Sequence, residues 1–436
     1  MTQTSRVMNG KQLFCYGFLT APLALAGFAL VFFIPTYYAV EVGLGLGVVG
    51  VVFAVGRVLD VVSDPLVGYL SDQTRHRWGA RLPWMVWGAP GLVLAVWMLL
   101  VPPEGAGLTY LIVASGAFYL LYTIVDVPYS SVGLEISPDE NERSTLAGTK
   151  AAFQVGGAIL ASLVPVVLAS QMGLSLQAIG LCVLILTVIG LALFWRFVPR
   201  TDRQVTLPRI GVVAGYRFVL RHPRFRHLVT VFFVVQAANA LTAGLIVLHA
   251  SHVIGAPQMV GPFFLTIFVS TALFLPVWIW LSKWKSKPVS WACAIVLCCL
   301  ALGLAVTLGQ GDVVAMLVVC ALIGASFGSD AMMPTSMLAD LVYEGEEAGD
   351  HRRAGSYLAI KNAVSKLTFI VPMAVAFPVL DLVGFNKAGA NDGTALGVLV
   401  VFFAGVPIAL RLLALGLLLF AAPRVDRSTV ASGAAE

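Results

Sequence analysis

Charge is what this chain has least of. Only 11% of its 436 residues are Asp, Glu, Lys or Arg, whereas 59% are hydrophobic. Soluble domains carry about 25% charged residues, so the composition excludes that class and indicates a polytopic membrane protein. The sequence also lacks a Gly-x-x-x-x-Gly-Lys-Ser/Thr run, which argues against ATP-driven work. No enzymatic activity is expected. Its six cysteines (Cys15, Cys182, Cys293, Cys298, Cys299 and Cys320) lie in or beside apolar runs, none at metal-ligand spacing from a histidine. No resident cofactor is therefore expected. The alternating pattern of an outer-membrane barrel is absent. An open strand cannot satisfy its backbone in lipid, which leaves helices.

What the chain does have is apolar runs. A hydrocarbon core about 30 Å thick takes about 20 apolar residues in a helix. Runs of that size recur about twelve times, near 13–40, 45–71, 82–102, 107–136, 146–170, 175–198, 225–249, 258–282, 288–308, 313–342, 354–384 and 394–422. The first, Phe14 to Val40, exceeds the roughly 7–15 residues of a signal-peptide core and is read as a span, not a leader. The longest interior loop divides the spans six and six. The expected organisation is an N-terminal bundle over 1–198, a linker over 199–224 and a C-terminal bundle over 225–436. Within the linker, Val212 to Leu220 is weakly amphipathic and suited to the membrane surface.

The basic residues orient these spans. Of the 27 Lys and Arg, all but Arg57, Lys361, Lys366, Lys387 and Arg411 fall at the termini or in alternate loops. Lys387 is the one basic residue in the intervening loops, which carry Glu41, Glu104 and Asp312. By the positive-inside rule, the basic loops and both termini are cytoplasmic. The net charge of +5 is thus a topology signal and not a nucleic-acid footprint. The expected partners are membrane lipid and a small-molecule substrate, with the chain acting as a monomer in the inner membrane.

Against this apolar background, a few intramembrane charges carry the chemistry. Asp60 and Asp64 lie in the stretch Gly45 to Leu70, which is otherwise apolar apart from Arg57 and Ser63. Their four-residue spacing puts both acids on one helix face. A charge at bilayer depth costs roughly 2.5–3.5 kcal/mol on insertion scales. A chain that accepts this cost twice on one face is expected to hold a cation there. Asp126 supplies a third carboxylate. Na+ prefers oxygen ligands of this kind, while desolvation penalises a charged carboxylate and makes H+ the alternative. Arg57 can neutralise one acid permanently, and Lys366 only while no cation is bound. The structural alternative is a static ion-pair network that merely fixes helix packing.

Other polar groups give weaker signals. Lys361 does not share a face with Lys366 and is expected to snorkel to the cytoplasmic edge. His249 and His252 are expected to meet solvent at the outer end of the seventh span. Gln236, Asn239, Ser329 and Asp330 either face the cavity or bond between helices. Arg411 has no partner legible from the sequence.

The second span closes on Asp60-x-x-x-Asp64-Pro65-x-x-Gly68-x-x-x-Asp72-x-x-x-x-Arg77-Trp78-Gly79-x-Arg81-x-Pro83-Trp84. Asp72 at a helix C-terminus is unfavourable unless paired. Arg77 and Arg81 can pair it as a cytoplasmic latch; the alternative is that these charges only set topology. This motif resembles the helix 2–3 signature of the glycoside–pentoside–hexuronide:cation symporters, within the major facilitator superfamily. Tyr122-Thr123-Ile124-Val125-Asp126-Val127-Pro128-Tyr129, followed by Glu142-Arg143, is similar to the family's helix 4 segment. Met333-Pro334, Ala339-Asp340-Leu341-Val342-Tyr343 and Arg353-x-Gly355 resemble its helix 10–11 loop, and Lys366-Leu367 its helix 11 lysine.

The resemblance implies twelve helices in two pseudo-symmetric six-helix bundles and transport by alternating access. It implies that Asp60, Ser63, Asp64 and Thr123 form the cation site for H+ or Na+. Ser63 stands where the family often has Asn, which leans toward H+. Asp126, Tyr122, Lys366, Lys150 and Arg57 fall to the substrate side. Asp72, Arg77, Arg81, Arg143, Asp340 and Arg353 fall to a cytoplasmic gate. Two family features are replaced here: a sugar-binding acid of the first span by Ala24, and a stacking Trp of the fourth by Ser130. The implied function is cation-coupled symport of a sugar, glycoside or uronate, with the replacements favouring an anionic or less hydroxyl-dependent solute. The alternatives are a lysophospholipid carrier of the same branch and a non-transporting sensor or assembly factor.

Overall fold

The computed structural model describes residues 8–74, 76, 78–79, 81–136, 140–167, 172–199, 221–347, 354–385 and 391–420. Among these, all regular structure is helical, and 12 helices are long and apolar enough to cross a bilayer. They are α1 (Gly10–Val40), α2 (Leu46–Ser71), α3 (Leu82–Leu100), α4 (Leu108–Gly133), α5 (Gly148–Val167) and α6 (Gly173–Phe197). The second six are α7 (Pro223–Val253), α8 (Pro257–Trp284), α9 (Lys287–Val306), α10 (Val313–Leu341), α11 (Ile360–Leu382) and α12 (Gly393–Leu419). Each coincides with an apolar run of the sequence. The amphipathic piece 212–220 and Lys387 lie outside the described residues.

Several spans are not uniform α-helix. Proline lies inside α2, α3, α4, α5, α8 and α10. Each removes one backbone donor, a loss that neighbouring helices make tolerable in a bundle. Two of these prolines flank the acids: Pro65 follows Asp64, and Pro128 comes two residues after Asp126. Single π-turns interrupt α1 (Ala29–Phe33), α7 (His249–Val253), α11 (Pro372–Ala376) and α12 (Val401–Gly405). Such turns locally re-aim side chains and often mark functional regions. Between α1 and α2 the chain reverses through Gly43 and Gly45, at φ of 80° and 96°, where a Cβ would be strained.

The first six spans pack on the last six at the end of the bundle away from the basic loops. There Phe264 of α8 receives Phe28, Phe32 and Phe33 of α1, with ring centroids 5.0, 4.9 and 5.9 Å away. A Cβ at Gly50 of α2 would collide with the Met373 carbonyl of α11. One at Gly261 of α8 would come 2.9 Å from the Ser162 carbonyl of α5. Small residues thus let the backbones approach closely where aromatic rings do not fill the gap. Toward the basic end of the last six spans, a second apolar cluster gathers around Trp291, Phe225, Phe232 and Tyr357.

Candidate functional site

Helical spacing assembles one wall of the site from α2 and another from α4. Asp60 follows Arg57 by three residues and precedes Ser63 and Asp64 by three and four; Tyr119 precedes Tyr122 and Thr123 by three and four, and Asp126 follows Thr123 by three, so each set shares a helix face. The two faces meet. The Thr123 hydroxyl lies 3.0 Å from Asp60 Oδ1 and 3.2 Å from Asp64 Oδ1, and its single proton serves one at a time. Ser63 Oγ stands 3.2 Å from the Thr123 hydroxyl and 3.1 Å from the Asp60 carbonyl. Two carboxylates and two hydroxyls therefore converge as a set of oxygen donors.

The third wall is α11. Lys366 Nζ lies 3.0 Å from Asp60 Oδ1 and 2.8 Å from Asp64 Oδ2, bridging the two acids. Arg57 Nη1 reaches the other Asp60 oxygen at 3.4 Å. Its guanidinium sits between the rings of Tyr119 and Phe369, 5.3 and 5.4 Å from their centroids. Those two rings were not anticipated from sequence, although Tyr119 shares the face of Tyr122 and Thr123. Asp60 is sealed at 1% exposure, whereas Asp64 at 29% and Lys366 at 23% remain accessible.

A second charged group lies along α4. Asp126 pairs with Lys150 of α5 at 3.4 Å, and Lys150 Nζ contacts Ser130 Oγ at 2.6 Å. The ammonium also faces the Tyr129 ring at 4.9 Å. Ser130, which stands in place of an aromatic in the family pattern, is thus a polar partner for Lys150. Tyr122 stacks on Phe118 with centroids 5.5 Å apart. Tyr122 and Asp126 of α4 and Lys150 of α5, expected on the substrate side, therefore adjoin Thr123.

The residues expected at a cytoplasmic gate are only partly visible. Arg77 and Arg353 lie outside the described residues, as do the side chains of Asp72 and Arg143. Arg81 is nearly buried and donates to Ser71 Oγ at 2.6 Å. Asp340 is bound within the last six spans: Lys287 of α9 meets both of its carboxylate oxygens at 2.6 Å.

Two expectations change. Arg411 of α12 has partners: it donates to Asp330 Oδ2 of α10 at 2.9 Å and to the Asn239 side chain of α7. Trp291 of α9 donates to the other Asp330 oxygen at 3.0 Å. Asn239 and Asp330 thus serve interhelical bonding and not a cavity. The sequence signal was a lone acid and a lone base, each in its own apolar run. His249 does not meet solvent: it lies in the π-turn of α7, is fully buried and stacks at 4.0 Å on Phe403 of the α12 π-turn. Lys361, the second residue of α11, lies over the Phe232 ring, 5.5 Å away.

Twelve apolar helices around paired mid-membrane charges define a polytopic membrane carrier. The chain belongs to the MFS/sugar transport protein family, whose sequence profile matches residues 15–423. It is 24% identical to the inner membrane symporter YicJ of Escherichia coli, over 94% of this chain and 91% of that one. The putative glycoside/cation symporter YagG of the same organism is 28% identical, over 54% of this chain and 53% of that one. The sodium-dependent lysophosphatidylcholine symporter 1 of Gallus gallus is 22% identical, over 94% of this chain and 86% of that one. Among solved structures, a bacterial homolog of the human lysosomal transporter Spinster, inward-facing and unoccupied, superposes with a TM-score of 0.73. That match covers 95% of this chain and 98% of the other at 11% identity, and it speaks to fold alone. These relatives and neighbours are transporters, not enzymes.

Proposed function

We propose that this chain is a cation-coupled symporter of a small polar solute, a sugar, glycoside or uronate, working by alternating access in the cytoplasmic membrane. The observation that carries this reading is Lys366 bridging Asp60 and Asp64 at 3.0 and 2.8 Å. With Arg57 beside them, two bases balance two acids, so the empty site is neutral and tolerable in lipid. An arriving Na+ or H+ takes the place of the lysine at the acids. Lys366 is then released, because a third positive charge is repelled by the same cluster.

That release alters the contact between α2 and α11, two of the spans through which residues 1–198 meet residues 225–436. Ion occupancy thereby biases the packing of the two bundles, as a ligand with different affinities for two states must. Solute enters beside Tyr122, Asp126 and Lys150, next to the ion. With basic loops and termini in the cytoplasm, the Phe264 cluster is the outer seal and the conformation is open inward. The family description and the glycoside/cation relative support the solute class. The full-length likeness to a lysophosphatidylcholine symporter supports a second reading, in which the cargo is a lysophospholipid.

Counterflow in proteoliposomes over a solute panel, with and without Na+ and a pH gradient, tests the proposal. Asp64→Asn is expected to abolish ion-driven accumulation, and full accumulation by that variant would overturn the coupling role. Uptake of labelled lysolipid that sugars do not inhibit would favour the second reading.

A further inference from the structure

We infer that Gln154 of α5 is a specificity residue that, together with Asp126, reads two adjacent hydroxyls of a sugar ring; the inference rests on the symporter reading above. Gln154 follows Lys150 by four residues, so the two share a helix face, one turn apart. Lys150 meets α4 from that face, at 3.4 Å from Asp126 and 2.6 Å from Ser130. α4 and α5 are consecutive spans and run in opposite directions. The step of about 6 Å from Lys150 to Gln154 therefore leads back along α4 from Asp126 toward Tyr122, and sets the Gln154 amide level with the turn between them.

The neighbours of α5 fix where the amide points. Toward α1, Phe153 packs on Phe14 and Phe18, and a Cβ at Gly157 would come 2.5 Å from the Ala21 carbonyl. Toward α8, Ser162 and Val166 receive Gly261. Around the α5 axis, Gln154 stands about 40° past Lys150, and Ser162 about 120° past it in the same sense. Gln154 thus lies between the line that meets α4 and the line that meets α8, facing the space these spans enclose. Its side chain is exposed, and the amide has no hydrogen-bond partner among the described residues. It stands six residues inside the start of the span, about 9 Å deep. A polar group at that depth is costly against lipid and belongs to a water-filled cavity.

The chemistry of the walls names the solute group. Between residues 21 and 27 of α1, the partly exposed residues are Ala21, Ala24 and Gly27, which offer no polar side chain. Hydroxyls are then read from α4 and α5. The Asp126 carboxylate only accepts and the Lys150 ammonium only donates, whereas an amide does both. The Gln154 oxygen accepts from one hydroxyl while its nitrogen donates to the oxygen of the next, which Asp126 binds in turn. Two neighbouring hydroxyls on one ring match this pair; an acyl chain would leave the amide unsatisfied.

The test begins with binding of methyl β-D-glucoside, methyl β-D-galactoside, methyl β-D-xyloside and D-glucuronate to the purified full chain. The tightest of these is compared with its monodeoxy analogues. Loss of one hydroxyl is expected to weaken binding about tenfold, because a polar partner is left unpaired. Gln154→Met keeps the length of the side chain and removes its hydrogen bonds. It should weaken the intact sugar about tenfold and leave that deoxy analogue unchanged, so the penalty for the missing hydroxyl disappears. A penalty that survives Gln154→Met, or equal weakening of every analogue, overturns the inference. In a second variant, Gln154→Cys, a water-soluble maleimide should label the new thiol, read by mass spectrometry of the peptide that carries it, and bound sugar should shield it. Labelling by a lipid-soluble maleimide alone places the residue against lipid and overturns the inference as well. Silence from every sugar fails the sugar reading and the inference with it. Sugar uptake indifferent to Na+ and pH gradients fails ion coupling, whereas ion-driven sugar uptake that Gln154→Met does not alter fails only the role of Gln154.

Discussion

At the junction of α2, α4 and α11, Asp60 and Asp64 meet Lys366; at the junction of α7, α9, α10 and α12, Asp330 meets Arg411. The charges are alike, but the surroundings are not. In the first cluster Asp64 and Lys366 keep 29% and 23% exposure, and the lysine comes from the opposite group of six spans. An ion can reach the acids, and a flexible ammonium can leave without taking a rigid fork of hydrogen bonds with it. In the second, both partners are 1% exposed, and the acid also accepts from Trp291 and Asn239. A planar guanidinium held in this way among four helices of one group has no route out. The comparison teaches that accessibility and the choice of base separate a pair suited to exchange from one suited to stapling.

The largest effect should come from breaking the staple. Asp330→Ala or Arg411→Leu alone leaves a buried charge unpaired, which costs roughly 3–5 kcal/mol. Thermal unfolding in detergent should show this loss, and Asp330→Leu combined with Arg411→Leu should recover most of it. Single variants as stable as the parent would remove the distinction between the clusters. The next effect sharpens the other side. In Lys366→Gln the acids lose their internal competitor, so cation affinity should rise about tenfold or more, the scale on which a neighbouring opposite charge shifts such equilibria. Return of the empty carrier should slow, so that exchange outlasts net uptake. Ion-binding titration and a comparison of exchange with net flux would reveal it; unchanged affinity would mean the lysine is a static partner. The smallest effect belongs to the exposed Lys287–Asp340 pair, where Lys287→Ala should cost about 1 kcal/mol or less in the same unfolding assay.

Much of this was legible beforehand for a simple reason. Spans about 20 residues long announce themselves by length and apolarity, and acids in lipid are rare enough to mark a site. Asp60, Ser63 and Asp64 share a face by spacing alone. The partners of Arg411, the burial of His249 and the ring contact of Lys361 were not legible. A helix apolar on every side shows no stripe to say which face meets which neighbour, and the π-turns that re-aim His249 leave no composition signal.

By itself the sequence determined how many times the chain crosses the membrane and which side chains carry charge into it, because lipid penalises each polar group one residue at a time. Tertiary structure alone decided which acid meets which base, and how openly. Pairing depends on rotation and approach of whole helices, set by small residues such as Gly50 and Gly261 and by rings such as Phe264. Those packing choices put Lys366 within reach of Asp60 and Asp64 and left Lys361 over the Phe232 ring.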